Sequence, residues 1–253
     1  MLLLAVEACG QNVFDAEAPK SGTVELKYEE PKNLTGTIYA QGSKKLLFRF
    51  RRTATRSGEK LNVQRDYTYP DGKLAAQEKV IYQGNDLVSY ELKELQIGAV
   101  GSAKIQLSKE PTAKGRVEFE YTKKPGAKPK SDSENLVENT LINDMVGPFL
   151  ASHWDSLARG EKLKCRYIVV PRTETVGFTL VKDSEAIWHG RKVIIVRMEA
   201  TSRLVALLVD PLCFTIEQSA PHHVLQYSGR TTPKIQTGSK WQDLDAVTVF
   251  DWP

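Results

Sequence analysis

A chain of 253 residues with three cysteines and four histidines leaves several chemistries without their residues. Cys9, Cys165 and Cys213 include no pair at C-x-x-C spacing, so no zinc or thiol-redox motif is present. His153, His189, His222 and His223 form no H-x-H or H-E-x-x-H pair, which removes the common metal-site spacings. Neither G-x-x-x-x-G-K-[ST] nor G-x-G-x-x-G occurs, so phosphate and dinucleotide cradles are unsupported and no cofactor is expected. The G-x-S-x-G nucleophile turn is missing too. No apolar stretch is long enough to cross a bilayer as a helix. The net charge is +4, from 35 basic and 31 acidic residues, too mild to indicate a nucleic-acid partner.

What is present is an ordinary globular balance, 41% hydrophobic and 26% charged, sufficient for a substantial core. Charge is unevenly spread. Lys44, Lys45, Arg49, Arg51, Arg52, Arg56, Lys60 and Arg65 stand against Glu59 alone. Such a patch could touch anionic headgroups or a polyanion, or it is a solvated strand face guarded against edge pairing.

The amino terminus, Met1 to Gly10, runs from a short apolar stretch to a small residue and then Cys9. It resembles the end of a bacterial lipoprotein signal, in which a cysteine after a small residue receives lipid. Cys9 is therefore the lipidation candidate, and contact with a membrane surface through that lipid would follow. An unprocessed, frayed terminus is the alternative. In an oxidising compartment Cys165 and Cys213 could pair; as buried thiols they could equally stay free.

From Thr23 to Thr122 the pattern has period two. In Leu61–Tyr69 the odd positions are apolar or long and the even ones polar, and Arg116–Thr122 alternates cleanly. Successive strand side chains point to opposite faces, so each segment buries one side. Leu46, Phe48 and Phe50 share a face, with Arg49 and Arg51 opposite. Pro70-Asp71-Gly72 and Gly84-Asn85-Asp86 predict tight reversals, and such short connections favour an antiparallel meander.

Residues 123–132, rich in Lys, Pro and Gly, predict an exposed linker. A helical segment is expected over 133–160. Ser133 can cap it, and Val137, Leu141 and Met145 recur at fours. Gly147-Pro148 should interrupt it, Pro148 should start a second helix, and Phe149, Leu150, Trp154 and Leu157 give that helix an apolar stripe. Strands then resume. Lys192–Met198 and Leu204–Val209 read as strands covered on both sides, and His222–Tyr227 and Ala246–Phe250 as the last strands.

The predicted fold is mainly β: a large curled antiparallel sheet, a half-barrel or open barrel, around a central helical segment. Residues 1–20 form a signal-like or disordered terminus and 21–253 a single β-rich domain. The stretch Pro148–Glu161, with the strands after it through Val209, resembles an uncharacterised family of bacterial periplasmic half-barrel proteins and, more distantly, the lipoprotein-localisation carriers. That resemblance implies an address in the periplasm or on the outer membrane and carries over no functional residue; with no catalytic motif in the chain, a non-enzymatic role is the leading expectation and an enzyme the lesser one.

Phe48, Phe50, Tyr67, Tyr69 and Trp154 are the candidate ligand-binding residues, as aromatics expected on inner faces. The leading expectation is an apolar or lipid-like ligand held in the curled sheet. An envelope scaffold that binds a protein partner at exposed strand edges comes next. A hydrolase built on dispersed acids such as Asp243 and Asp245 comes last.

Overall fold

Alternation at period two becomes one open, fifteen-stranded sheet in the computed structural model, which describes residues 27–108, 114–207 and 210–252. The first eight strands are β1 (Asn33–Ala40), β2 (Leu46–Ser57), β3 (Lys60–Thr68), β4 (Leu74–Gln83), β5 (Asp86–Glu94), β6 (Ala99–Leu107), β7 (Gly115–Thr122) and β8 (Lys130–Asn135). A short strand β9 (Thr140–Leu141) leads into helices α1 (Asn143–Ser152) and α2 (Trp154–Ala158). β10 (Leu163–Val169), β11 (Glu174–Trp188) and β12 (Arg191–Ala200) follow, then α3 (Arg203–Ala206). β13 (Leu212–Glu217), β14 (Val224–Thr237) and β15 (Lys240–Asp251) complete the chain.

The strand order is β8 to β1, then β15 back to β9. The chain thus begins at the centre, meanders to one edge, crosses to the other edge and meanders back to pair β15 with β1. Every pairing is antiparallel except the two-residue contact of β9 with β10. The predicted reversals are there: Gly72 N–H donates to the Tyr69 carbonyl at 2.9 Å, and Gly72 and Gly84 take the positive φ their turns require.

The two edges meet where the connection 136–139 joins them. Lys130 Nζ donates to the Arg172 carbonyl at 2.8 Å, and the Thr175 N–H donates to Glu134 Oε2 at 3.1 Å. Side chains hold this seam in place of a backbone ladder, so the sheet is curled but not closed. The 3-10 turn Val170–Arg172 closes the approach by resting on β6 and β7. Gly101 makes room for it, since a Cβ there would lie 2.5 Å from Val170 Cγ1 and 2.8 Å from the Glu120 carbonyl. Gly101→Ala is expected to cost roughly 1–3 kcal/mol through overpacking, read as a lowered urea midpoint. An unchanged midpoint would show that the turn yields freely.

The concave face carries the main core. Leu61, Tyr82 and Phe119 from one wing and Ile168, Leu180, Ile194 and Met198 from the other enclose Phe149, Leu150 and Leu157 of the helix pair. Each fully buried leucine contributes about 1.5–3 kcal/mol of transfer free energy. The helices are therefore an internal plug against which the sheet wraps.

Several sequence expectations are corrected. The helical segment does not begin at Ser133: Lys130–Asn135 is the edge strand β8, paired with β7 from Tyr121↔Lys130 to Arg116↔Asn135. The linker therefore ends before 130. This polar stretch has little propensity of its own, and a neighbouring strand with free backbone groups decides its state. Pro148 lies inside α1 rather than starting the second helix, and the break falls at His153 (φ −108°, ψ 21°). The expected strand over 204–209 is, in its described part, the short exposed helix α3, with Leu204 76% and Leu207 82% exposed. A short apolar run does not distinguish helix from strand. His222 and His223 precede β14 instead of lying in it, and His222 has φ 62°.

Candidate functional site

Two features stand out on the inner face: a smaller aromatic cluster, and a layer of buried charge beside it. The aromatic cluster arises because β1, β2, β3, β4 and β15 present their inward phases to one another. It contains Ile38, Phe48, Phe50, Tyr67, Ala75, Ala76, Leu244 and Ala246, separate from the main core. Phe48 and Tyr69 lie 5.1 Å apart between ring centroids, and Phe50 and Tyr67 lie 5.4 Å apart. Tyr69, Leu47, Ile235 and Trp252 cover it and are themselves only partly buried.

Four of the five predicted ligand-binding aromatics are thus brought together. Trp154 is not among them. It sits on α2, packs on the main core and stacks on His222 with centroids 3.9 Å apart and planes 6° from parallel. His223 stacks likewise on Trp252 at 3.7 Å, and Trp252 Nε1–H donates to the Val224 carbonyl at 2.8 Å. The adjacent histidines therefore diverge toward different tryptophans. Burial lowers the pKa of both below the ordinary imidazole value.

The charge layer involves Arg52, Arg65, Glu78 and Asp144, all buried. Arg52 Nε donates to Asp144 Oδ1 at 2.6 Å and its Nη2 to Oδ2 at 3.1 Å, a two-point contact. Its other guanidinium hydrogens reach the Pro31 and Tyr28 carbonyls. Tyr82 donates to Asp144 Oδ2 at 3.0 Å. Arg65 Nη1 donates to Glu78 Oε2 at 2.6 Å, while Glu78 Oε1 accepts from Tyr67 at 3.2 Å, from Asn143 Nδ2 at 3.0 Å and from the Thr232 hydroxyl. The Arg65 guanidinium carbon also lies 5.1 Å from the Phe50 ring centroid. Arg65 thereby places a cation at the inner limit of the aromatic cluster.

This layer was missed in the sequence, although the signal was there. In Phe48-Arg49-Phe50-Arg51-Arg52, period two puts Arg52 in phase with the phenylalanines. Arg65 is in phase with Val63 and Tyr67, and Glu78 with Ala76 and Val80.

Burial by itself would raise the Asp144 pKa, but the charge and hydrogen bonds of Arg52, with Arg65 and Tyr82, outweigh it and hold the carboxyl below its ordinary value. A lowered folded pKa means that the stabilisation is complete above the unfolded value, near 3.8, and is lost as pH falls below it. The melting temperature should therefore fall more steeply below about pH 4 in the wild type than in Asp144→Asn, which lacks this titration. Parallel curves would remove Asp144 from the acid response.

Other candidates are accounted for by pairing. Arg230 binds Asp243 at 2.9 Å and Asp245 at 2.9 Å, and Lys234 binds Asp243 at 2.7 Å. These acids are engaged in ion pairs. Cys165 and Cys213 are both free thiols, and burial pushes Cys165 up to about 12. His153 Nδ1 lies 2.9 Å from the Phe149 carbonyl. Among the described residues no group of acidic, histidine or cysteine side chains forms a metal cage. Cys9, the lipidation candidate, lies outside the described residues.

No family of known proteins, no curated protein and no solved structure matches this chain.

Proposed function

We propose that this chain is a non-enzymatic binding protein of the bacterial envelope, in the periplasm or held at the outer membrane, whose curled sheet takes an apolar or lipid-like ligand. The observation that carries the reading is the aromatic cluster around Phe48, Phe50, Tyr67 and Tyr69. It is separate from the main core, is roofed by half-buried side chains, and has the Arg65 guanidinium at its inner limit. Small residues at Ala75, Ala76 and Ala246 leave backbone rather than bulk along its floor. Aromatic and aliphatic walls suit an apolar or acyl-chain ligand better than a purely polar one. The apolar tail would displace the partly exposed Leu47 and Tyr69.

Native mass spectrometry of gently purified protein tests the reading. A co-purifying mass in the lipid range is expected, and Tyr69→Ala should change its occupancy. Repeated recovery of the bare protein mass would overturn it.

A second reading has one specific observation behind it. β8 hydrogen-bonds as a strand only with β7; its other side faces β11 across the side-chain seam, so a partner strand would pair there by opening that seam. Lys130, Asp132 and Glu134 guard that edge, as expected where indiscriminate pairing must be avoided. A pull-down from envelope extract that returned no specific protein would remove this alternative.

A further inference from the structure

On the convex face of β2 two arginines of the same phase stand without a carboxylate partner among the described residues. Phe48, Phe50 and Arg52 are buried, so Arg49 and Arg51, of opposite phase, point outward and are exposed. Arg52, Arg56, Arg65, Arg166, Arg172 and Arg230 each pair with a carboxylate. Among the described residues Arg49 and Arg51 make no ion pair, nor do the exposed Lys44 and Lys45 in the turn leading into the same strand.

Their cross-strand neighbours are mostly hydroxyls. Arg49 stands opposite Thr37 and Thr68, and Arg51 opposite Thr35 and Asp66. The Asp66 carboxylate is engaged by amides, accepting from Gln64 and Gln77 at 2.8 Å each. Farther along the strand, Thr55, Asn62, Gln64, Lys79, Ser89 and Glu91 are among the residues lining an outer cleft of about 300 Å³. The two unpaired guanidinium groups are complementary to phosphate, and the cleft beside them, in which Lys79 stands opposite Glu91, offers hydroxyls and amides to the polar part of a headgroup.

We propose that this outer face of β1–β4 docks on an anionic phospholipid surface, with Arg49 and Arg51 meeting lipid phosphates and the neighbouring cleft receiving a headgroup. Two observations favour a bilayer over nucleic acid. The overall charge is only +4, and the aromatics that could stack on bases, Phe48, Phe50 and Tyr67, are turned inward. The surface is on the opposite side of the sheet from the aromatic cluster, so the proposal does not rest on an interior ligand.

Co-sedimentation of the full chain with vesicles containing phosphatidylglycerol, against vesicles of phosphatidylcholine alone, tests it. Binding should require the anionic lipid and weaken as salt rises. The double variant Arg49→Gln/Arg51→Gln should bind about thirtyfold more weakly. The control Lys123→Gln/Lys124→Gln removes equal charge from an exposed turn and should bind as the wild type does. A lipid on Cys9 would raise binding to both kinds of vesicle and leave these differences in place. Equal binding to both vesicles, or full binding by the double variant, overturns the proposal. So does a protein that ignores vesicles but binds duplex DNA through the same arginines. Co-purified ligand retained by the double variant would separate this surface from the interior site.

Discussion

Asp144→Ala is expected to destabilise the fold by roughly 3–5 kcal/mol, because it leaves the Arg52 guanidinium buried without its counter-charge. For a chain of this size that corresponds to a fall of roughly 6–20 °C in melting temperature. The magnitude follows from burial. Both side chains are almost fully enclosed, at 6% and 2% exposed, so water cannot replace the lost carboxylate. Tyr82 would lose its acceptor as well. The double variant Arg52→Met/Asp144→Leu should recover a large part of the loss, since removing both charges also removes their desolvation cost. Recovery should be incomplete, because the Tyr28 and Pro31 carbonyls lose the donors that Arg52 supplies. A thermal melt of Asp144→Ala within about 1 kcal/mol of wild type would mean that the pair is effectively solvated.

Leu150→Ala should cost about 2–5 kcal/mol, the range for emptying a fully enclosed aliphatic site. Leu150 is 0% exposed and lies on the helix that the sheet encloses. The core cluster to which it belongs draws side chains from both wings, which puts the expected loss toward the upper end of that range. Urea unfolding followed by circular dichroism and by tryptophan fluorescence would measure it. A loss below about 1 kcal/mol would indicate that α1 is loosely seated. That would also bear on the ligand reading, because a loosely seated plug leaves the main core, rather than the aromatic cluster, as the place for an apolar guest.

Much of the fold was legible because strand alternation is a local property. Leu61, Val63 and Tyr67 could be assigned to one face from spacing alone, and the Gly72 and Gly84 turns marked where the chain reverses. The aromatic group was legible for the same reason, since Phe48, Phe50, Tyr67 and Tyr69 all share the inward phase. Trp154 failed as a member because helix position says nothing about which part of a curled sheet the residue will face. The buried charges went unread for a different reason. Arginine on a strand is usually solvated, and its pairing with Asp144, 92 positions away in the chain, cannot be seen in a local window.

By itself, the sequence determined the class of structure: antiparallel strands with one oily side, and a helical segment near the middle. That follows because the pleat sends neighbours to opposite faces and because short turns allow only adjacent pairing. Tertiary structure decided the rest. It recruited the polar stretch Lys130–Asn135 as an edge strand, joined the first and last strands at the centre of the sheet, and enclosed Arg52 with Asp144. Each of these depends on partners distant in the chain, whose desolvation and hydrogen bonding outweigh the weak local preferences of the residues involved.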